Sequence, residues 1–262
     1  MSTLTVSLVQ YDIAWLAPED NFTTIERLTS DLVQCDLLLL PETFATGFAL
    51  KEETAPFAND ALAFMQRLAK RHQCIVAGSV LVPEGDKKAN RFYWCWPATE
   101  GADIARVEYY DKRHLFCLGN EGRYVVEGTQ RKVIEIGEFK ILPQVCYDLR
   151  FPVFQRNRND YDVMVNVANW PAARRYAWDT LLRARAIENQ CYVLAGNRLG
   201  DDGYGIAHNG GTVAIDYLGQ PISQVPDDQM GVITVTLSKP PLDAFRSQFP
   251  AHLDADHFQL VP

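Results

Sequence analysis

Apolar and polar positions alternate at the start of the chain. Leu4, Val6 and Leu8 occupy every second place between Leu4 and Gln10, the period of a half-buried strand. The spacing then changes. Phe22, Ile25, Leu28 and Leu32 fall on one helical stripe, which predicts a helix over 19–33. "CDLLLLPE" follows, a wholly apolar run stopped at Pro41, as expected of a strand buried on both faces. Leu62, Met65, Leu68 and Ala69 predict a second helix over 59–71, and "CIVAGSVLV" at 74–82 returns to strand.

The middle of the chain is richer in β-branched and aromatic residues. "RFYWCWPA", "DIARVEYYD", "RKVIEI", "FKILPQVC" and "DVMVNVANW" read as successive strands. A helix over 175–190 comes next, then "CYVLAGN", "GTVAIDY" and "GVITVTL" as late strands. Helices and strands alternate early, and strands predominate later. That order predicts two sheets with helices outside rather than one open parallel sheet. No repeat, low-complexity stretch or linker interrupts the 262 residues, so a single domain over 1–262 is expected.

Composition narrows the class. Hydrophobic residues make up 47% of the chain, enough for a packed core. Lys and Arg number 25 against 33 Asp and Glu, a net charge of −8. That balance argues against nucleic acid or an anionic membrane as partner, since both select basic surfaces. A small anionic substrate needs only a few local arginines and is not excluded. The six cysteines form no CxxC and have no zinc-site spacing to a histidine. The opening "MSTLTVSLVQYDIAW" lacks the basic and apolar regions of a signal peptide, and no apolar run approaches the ~20 residues of a membrane span. A cytoplasmic protein with free thiols is expected.

Three strand-like runs end on residues that can carry chemistry. "DLLLLPETF" delivers Glu42, "VEYYDKRHLF" delivers Lys112, and "FKILPQVCYD" delivers Cys146. An unperturbed thiol titrates near ~8.5, so at neutral pH it needs a base to attack. A carboxylate supplies that base, and an ammonium favours the thiolate and stabilises an oxyanion. The three residue types together suit acyl transfer. Taken singly, Cys146 reads more readily as a buried small hydrophobe, and Glu42 and Lys112 as loop charges.

"PETFATGF" at 41–48, "YDKRHLF" at 110–116 and "CYDLRFP" at 146–152 resemble, in order, the three signature blocks of the nitrilase superfamily of carbon-nitrogen hydrolases. The segments 169–200 and 200–220 resemble the family's later regions, and the chain is most similar to the ω-amidase branch. The resemblance implies an α/β (α+β) fold, a four-layer αββα sandwich of two stacked mixed sheets with outer helices. It implies a homodimer or larger homo-oligomer joined through those helices, and no cofactor or metal. It assigns Glu42 as general base, Cys146 as nucleophile, and Lys112 with the backbone N–H of Tyr147 as oxyanion donors. A second glutamate that supports the lysine is Glu121 or Glu127, with Glu121 favoured by its spacing.

Around these, further residues are candidates. Asn169 and Trp170 form a pocket wall, or Trp170 packs in the core. Arg174 or Arg175 clamps a substrate carboxylate, or is a solvated charge at a helix start. Phe44 narrows the pocket, or anchors a loop. Asp148 and Arg150 brace the cysteine, and His114 supports the lysine loop. Arg185 falls on the apolar stripe of its helix and needs a carboxylate, for which Glu188 is the candidate. His208 makes a loop hydrogen bond or a substrate contact. His72, His252 and His257 show no ligand spacing, and Cys117 is a bystander. The branch resemblance implies a 2-oxo-dicarboxylic monoamide substrate such as 2-oxoglutaramate or 2-oxosuccinamate. The alternatives are other superfamily hydrolases, acting on deaminated glutathione, carbamoylated amines or nitriles, and a catalytically silent binding module on the same scaffold.

Overall fold

The run Leu37–Leu40 sets the layering. In the computed structural model, which describes residues 2–98, 106–256 and 258–259, strand β2 is Leu37–Leu39. Leu37 and Leu39 enter the core between two sheets, while Leu38 and Leu40 enter the core under a helix layer. The alternation of a strand's side chains thus places one leucine run in both cores.

Strand β1 (Thr3–Gln10) lies parallel to β2, and β2 lies parallel to β3 (Ile75–Glu84). β4 (Lys87–Cys95) and β5 (Val107–Asp111) continue the sheet antiparallel, and the short β6 (Val125–Val126) adds to β4. The second sheet begins with β7 (Ile134–Ile136) and β8 (Phe139–Val145), then β9 (Val163–Ala168) and β10 (Tyr192–Asn197) as a parallel set. β11 (Leu199–Asp201) and β12 (Ala207–Asn209) form a separate hairpin. β13 (Val213–Ile215) and β14 (Pro221–Gln224) complete the second sheet, and β15 (Gly231–Ser238) returns to pair with β1 in the first.

Helices α1 (Pro18–Leu28) and α2 (Ala55–His72) cover the outer face of the first sheet with Phe22, Ile25, Phe64, Met65 and Leu68. After the short α3 (Pro152–Gln155), helix α4 (Arg175–Asn189) covers the second sheet with Trp178, Leu182 and Ala186. α5 (Lys239–Gln248) follows β15. The layers run helix, sheet, sheet, helix, as expected.

The helix expected over 19–33 stops at Leu28. Thr29 and Ser30 turn their hydroxyls back to the carbonyls of Ile25 and Arg27, competing with further helix, and Leu32 packs against the helix layer from the turn beyond. Of "DIARVEYYD", the strand runs from Val107, and Asp103–Ala105 lie outside the described residues, as does His257. No helix among the described residues is long and apolar enough to cross a membrane.

Candidate active site

Three strand ends converge. The chain leaves β2 at Pro41, and Glu42 turns inward with no exposed surface. The next residue, Thr43, holds a left-handed φ of 48°, and its N–H donates to Ser79 Oγ at 2.9 Å. Lys112 directly follows β5 and is equally buried. Cys146 follows β8 and opens a 3-10 turn with φ at 47°, an uncommon conformation for a residue with a side chain, costing about 1–2 kcal/mol. Asp148 secures that turn by accepting the N–H of Val145 at 3.0 Å.

The same Asp148 also accepts the Tyr110 hydroxyl at 2.9 Å and the His114 backbone N–H at 2.8 Å. Tyr110 and His114 flank Lys112. One buried carboxylate therefore ties the cysteine turn to the lysine segment. His114 adds its ring, with Nδ1 2.8 Å from Asp148 and its plane stacked on Phe151. This is the supporting position expected of His114 and Asp148.

Every oxygen of Glu42 is engaged. Oε1 accepts Asn90 Nδ2 at 2.8 Å and faces Lys112 Nζ at 3.3 Å. Oε2 accepts the Asn169 N–H at 2.7 Å, and Asn169 Nδ2 donates to the Glu42 carbonyl at 2.8 Å. Lys112 Nζ sits 3.0 and 2.9 Å from the two oxygens of Glu121, which is buried and also accepts the Phe116 N–H. Glu127 is exposed and lines a separate depression of about 520 Å³ with Arg91 and Tyr109. Glu121 is thus the second glutamate at the lysine.

These contacts set the charges. Burial alone would make the Lys112 ammonium easier to deprotonate, but Glu121 and Glu42 outweigh it and raise its pKa above the usual lysine value. Burial pushes the Glu121 carboxyl up, with Lys112 opposing. Burial, then the Glu42 charge, pushes the Cys146 thiol well up against the pull of Lys112. The cysteine residue retains some exposed surface, yet the dense protein around it disfavours a thiolate. Two carboxylates and one ammonium already leave one excess negative charge, so a resting thiolate would add a second.

Glu42, Lys112 and Cys146 line one cavity of about 60 Å³. Phe48, Phe116, Tyr147, Trp170, Pro171 and Ile206 give it aromatic and apolar surfaces, and Arg150, Asn169, Arg174, Asp202 and His208 add polar ones. Trp170 serves both roles considered for it. It lines the cavity and packs against Trp178, with Nε1 donating to the Arg174 carbonyl at 2.8 Å. Arg174 and Arg150 reach the cavity resting on aromatic faces, Arg174 over Phe116 at 5.2 Å and Arg150 over Trp170 at 4.9 Å. Neither guanidinium has a protein carboxylate partner among the described residues. Arg175 has two, Asp179 at 2.8 Å and Asp227 at 2.9 Å. His208 Nδ1 lies 3.2 Å from the Gly200 carbonyl, and burial lowers its pKa, favouring a neutral ring.

Phe44 corrects one expectation, because it does not line the cavity. It is fully buried in the helix-layer core beside the stacked pair Phe22 and Phe64, where a large aromatic gains most from leaving water. Phe48 is the aromatic of that loop that reaches the site, 5.1 Å from Lys112 Nζ. Arg185 meets Glu188 at 2.9 Å and also donates to the Leu149 carbonyl, bracing the cysteine turn from behind. Cys117 is exposed, 3.8 Å from the Tyr147 hydroxyl. The site also contains Asn90, Phe48, Phe116, Pro171, Asp202 and Ile206, which are not among the candidates above. Asn90 carried a faint signal as a polar residue inside a strand, and the others needed the fold. No group of three or more metal-type ligands occurs among the described residues.

Comparison with known proteins identifies the family. The carbon-nitrogen hydrolase family profile matches residues 5–246. An omega-amidase, YafV, from Yersinia enterocolitica is 42% identical over the full length of both chains. A 2-oxoglutaramate amidase from Bacillus subtilis is 34% identical over 76% of this chain and 77% of its own. The crystal structure of a CN-hydrolase superfamily protein from Xanthomonas campestris, with an arsenic adduct in its active site, superposes with a TM-score of 0.92 at 42% identity, covering 100% of both chains. The chain belongs to the carbon-nitrogen hydrolase family.

Proposed function

We propose that this protein is an ω-amidase that hydrolyses the terminal amide of short 2-oxo-dicarboxylic monoamides, 2-oxoglutaramate and 2-oxosuccinamate, to the dicarboxylate and ammonia. The observation that carries the reading is the meeting of Glu42, Lys112 and Cys146 in one cavity that also presents two arginines without a carboxylate partner among the described residues. The names of the Yersinia and Bacillus relatives support the substrate class.

The site's charge favours a proton transfer made during attack. Glu42 takes the thiol proton as the Cys146 sulfur adds to the amide carbon, so no free thiolate accumulates beside two carboxylates. Negative charge moves to the former carbonyl oxygen. Lys112 and the Tyr147 N–H stabilise it; Tyr147 lies in the opening of a 3-10 turn, where N–H groups lack partners within the turn. Collapse expels the amine, which takes a proton from Glu42 and leaves as ammonia. The thioester is then attacked by water that Glu42 deprotonates, and a second oxyanion collapses to acid and thiol. Asn90 and Asn169 hold the Glu42 carboxylate in place through both halves.

Arg150 and Arg174 bind the substrate's far carboxylate in this reading, with aromatic faces beneath them limiting their movement. A homodimer joined through outer helices and a cytoplasmic setting complete it; the exposed Tyr176 and Ile187 on α4 support the first, and the free thiols the second. The test is ammonia release from 2-oxoglutaramate, 2-oxosuccinamate, glutamine, a carbamoylated amine and a nitrile. Turnover of the first two far above the rest is expected. Cleavage of the carbamoylated amine with both oxo-amides untouched would overturn the substrate and leave the mechanism standing.

A further inference from the structure

The β11–β12 hairpin belongs to neither sheet, yet its inner residues Asp202, Ile206 and His208 form one wall of the cavity. Two strands of this length do not hold a shape by themselves in water. At its base the hairpin is tied to the first sheet, with Leu199 N–H donating to the Tyr11 carbonyl at 2.9 Å and Arg198 meeting Asp12 at 3.0 Å. Its tip is docked separately. Gly203 lies so close to Trp15 that an added Cβ would stand 2.2 Å from the indole. Tyr204 packs edge-on against the same indole at 5.0 Å, and its hydroxyl donates to Glu52 at 2.7 Å. Lys51 Nζ stands 5.0 Å over the Tyr204 ring. The dock is coupled to the wall through Asp202, whose Oδ1 accepts the N–H groups of Tyr204 and Ile206, each at 2.9 Å.

We infer that Gly203 and Tyr204 are positioning residues that hold this wall against the cavity and thereby restrict the enzyme to short ω-amides. The inference rests on the ω-amidase reading for its substrate and on the docked tip for its device. A closed wall brings Ile206 and His208 to the substrate, so a chain longer by a methylene meets a side chain rather than solvent. A released tip lets the wall swing outward, which weakens contact with the short substrate and admits the longer one. The reacting groups lie on other elements, so the step itself is little affected.

The test uses full-length Gly203→Ala and Tyr204→Phe. The first wedges the tip from Trp15 without changing charge, and the second removes the hydroxyl with its bond to Glu52 and the longer one it accepts from the Lys51 N–H. Readouts are amide hydrogen exchange across 199–209 and steady-state kinetics on 2-oxoglutaramate against its homologue 2-oxoadipamate. Gly203→Ala is expected to raise KM for 2-oxoglutaramate with kcat nearly unchanged, and to shrink the preference over the homologue about tenfold, the scale of one methylene. Tyr204→Phe should act in the same direction by about threefold, in keeping with one hydrogen bond to a charged acceptor at a partly exposed site. Both should exchange faster across the hairpin. Wild-type exchange in both variants refutes the docking, and faster exchange with an unchanged preference refutes the specificity role. A wild-type enzyme inert to both amides refutes the ω-amidase reading and the substrate half of the inference, while the exchange rates still judge the dock.

Discussion

Replacing Glu121 by Gln tests how the lysine is held. Lys112 lies between two carboxylates, 3.0 and 2.9 Å from the oxygens of Glu121 and 3.3 Å from Glu42. At about 3 Å and an effective dielectric of about 20, one such pair attracts by roughly 5 kcal/mol before desolvation is subtracted. Removing the Glu121 charge leaves Glu42 as the remaining charged partner, so the ammonium is drawn toward the base and away from the oxyanion. The new amide also turns an NH2 toward either Lys112 or the Phe116 N–H, both donors, which pushes the lysine further from its place. A displacement on the order of 1 Å costs about a hundredfold in rate. Stability should change less. The folded-state pKa of Glu121 is raised, so its ionised form disfavours folding above the ordinary glutamate range, and glutamine removes that cost. The expected outcome is a kcat for ammonia release lowered about a hundredfold with only a small change in Tm. Because Glu121 is the largest influence holding the Lys112 pKa up, the basic limb of the pH–rate profile should also move to lower pH. The exposed Glu127→Gln should stay near wild type. Near-normal kcat in Glu121→Gln refutes the reasoning.

Other outcomes follow from the same geometry. With its pKa raised, the Cys146 thiol should alkylate with iodoacetamide at a rate that still climbs above pH ~9, where an ordinary thiol levels off; a plateau near that pH contradicts the charge account. Asp148→Ala strips the acceptor from the Val145 and His114 N–H groups and the Tyr110 hydroxyl, so it should lower stability in denaturant melts by about 3 kcal/mol or more and abolish turnover. Arg150→Ala and Arg174→Ala should each raise KM for 2-oxoglutaramate about tenfold or more while leaving slow hydrolysis of an uncharged short amide unchanged; equal losses on both substrates exclude a carboxylate contact. Leu38→Ala empties a site shared by β2 and the helix layer and should cost about 2–5 kcal/mol in unfolding.

Much of this could be read from the chain because local pattern and burial agree. "CDLLLLPE" announces a strand covered on both faces, and it is one. Motif blocks named Glu42, Lys112 and Cys146 although they lie far apart along the chain, and spacing from Lys112 favoured Glu121 over Glu127. What escaped depends on tertiary choice. Phe44 and Phe48 are alike in type and both follow Glu42, and only the loop path sends one to the helix layer and the other to the cavity. α5 is absent from the expected elements; it opens with "KPP", and proline at the first turn has no N–H to lose there. The β11–β12 strands are short and polar, with no periodicity to reveal them. Arg150 stands next to the nucleophile's turn in sequence, where a brace is the expectation; among the described residues it has no carboxylate partner, and only its place on the cavity gives that a meaning.

The central claim is that the Cys146 sulfur carries the acyl group. Ammonia release from 2-oxoglutaramate by Cys146→Ala, beside wild-type enzyme of matched folding, tests it most directly. The account predicts a loss of at least about a thousandfold, since no other group in the cavity can form the thioester. Turnover by Cys146→Ala within tenfold of wild type, on the order of 1.4 kcal/mol, would contradict it.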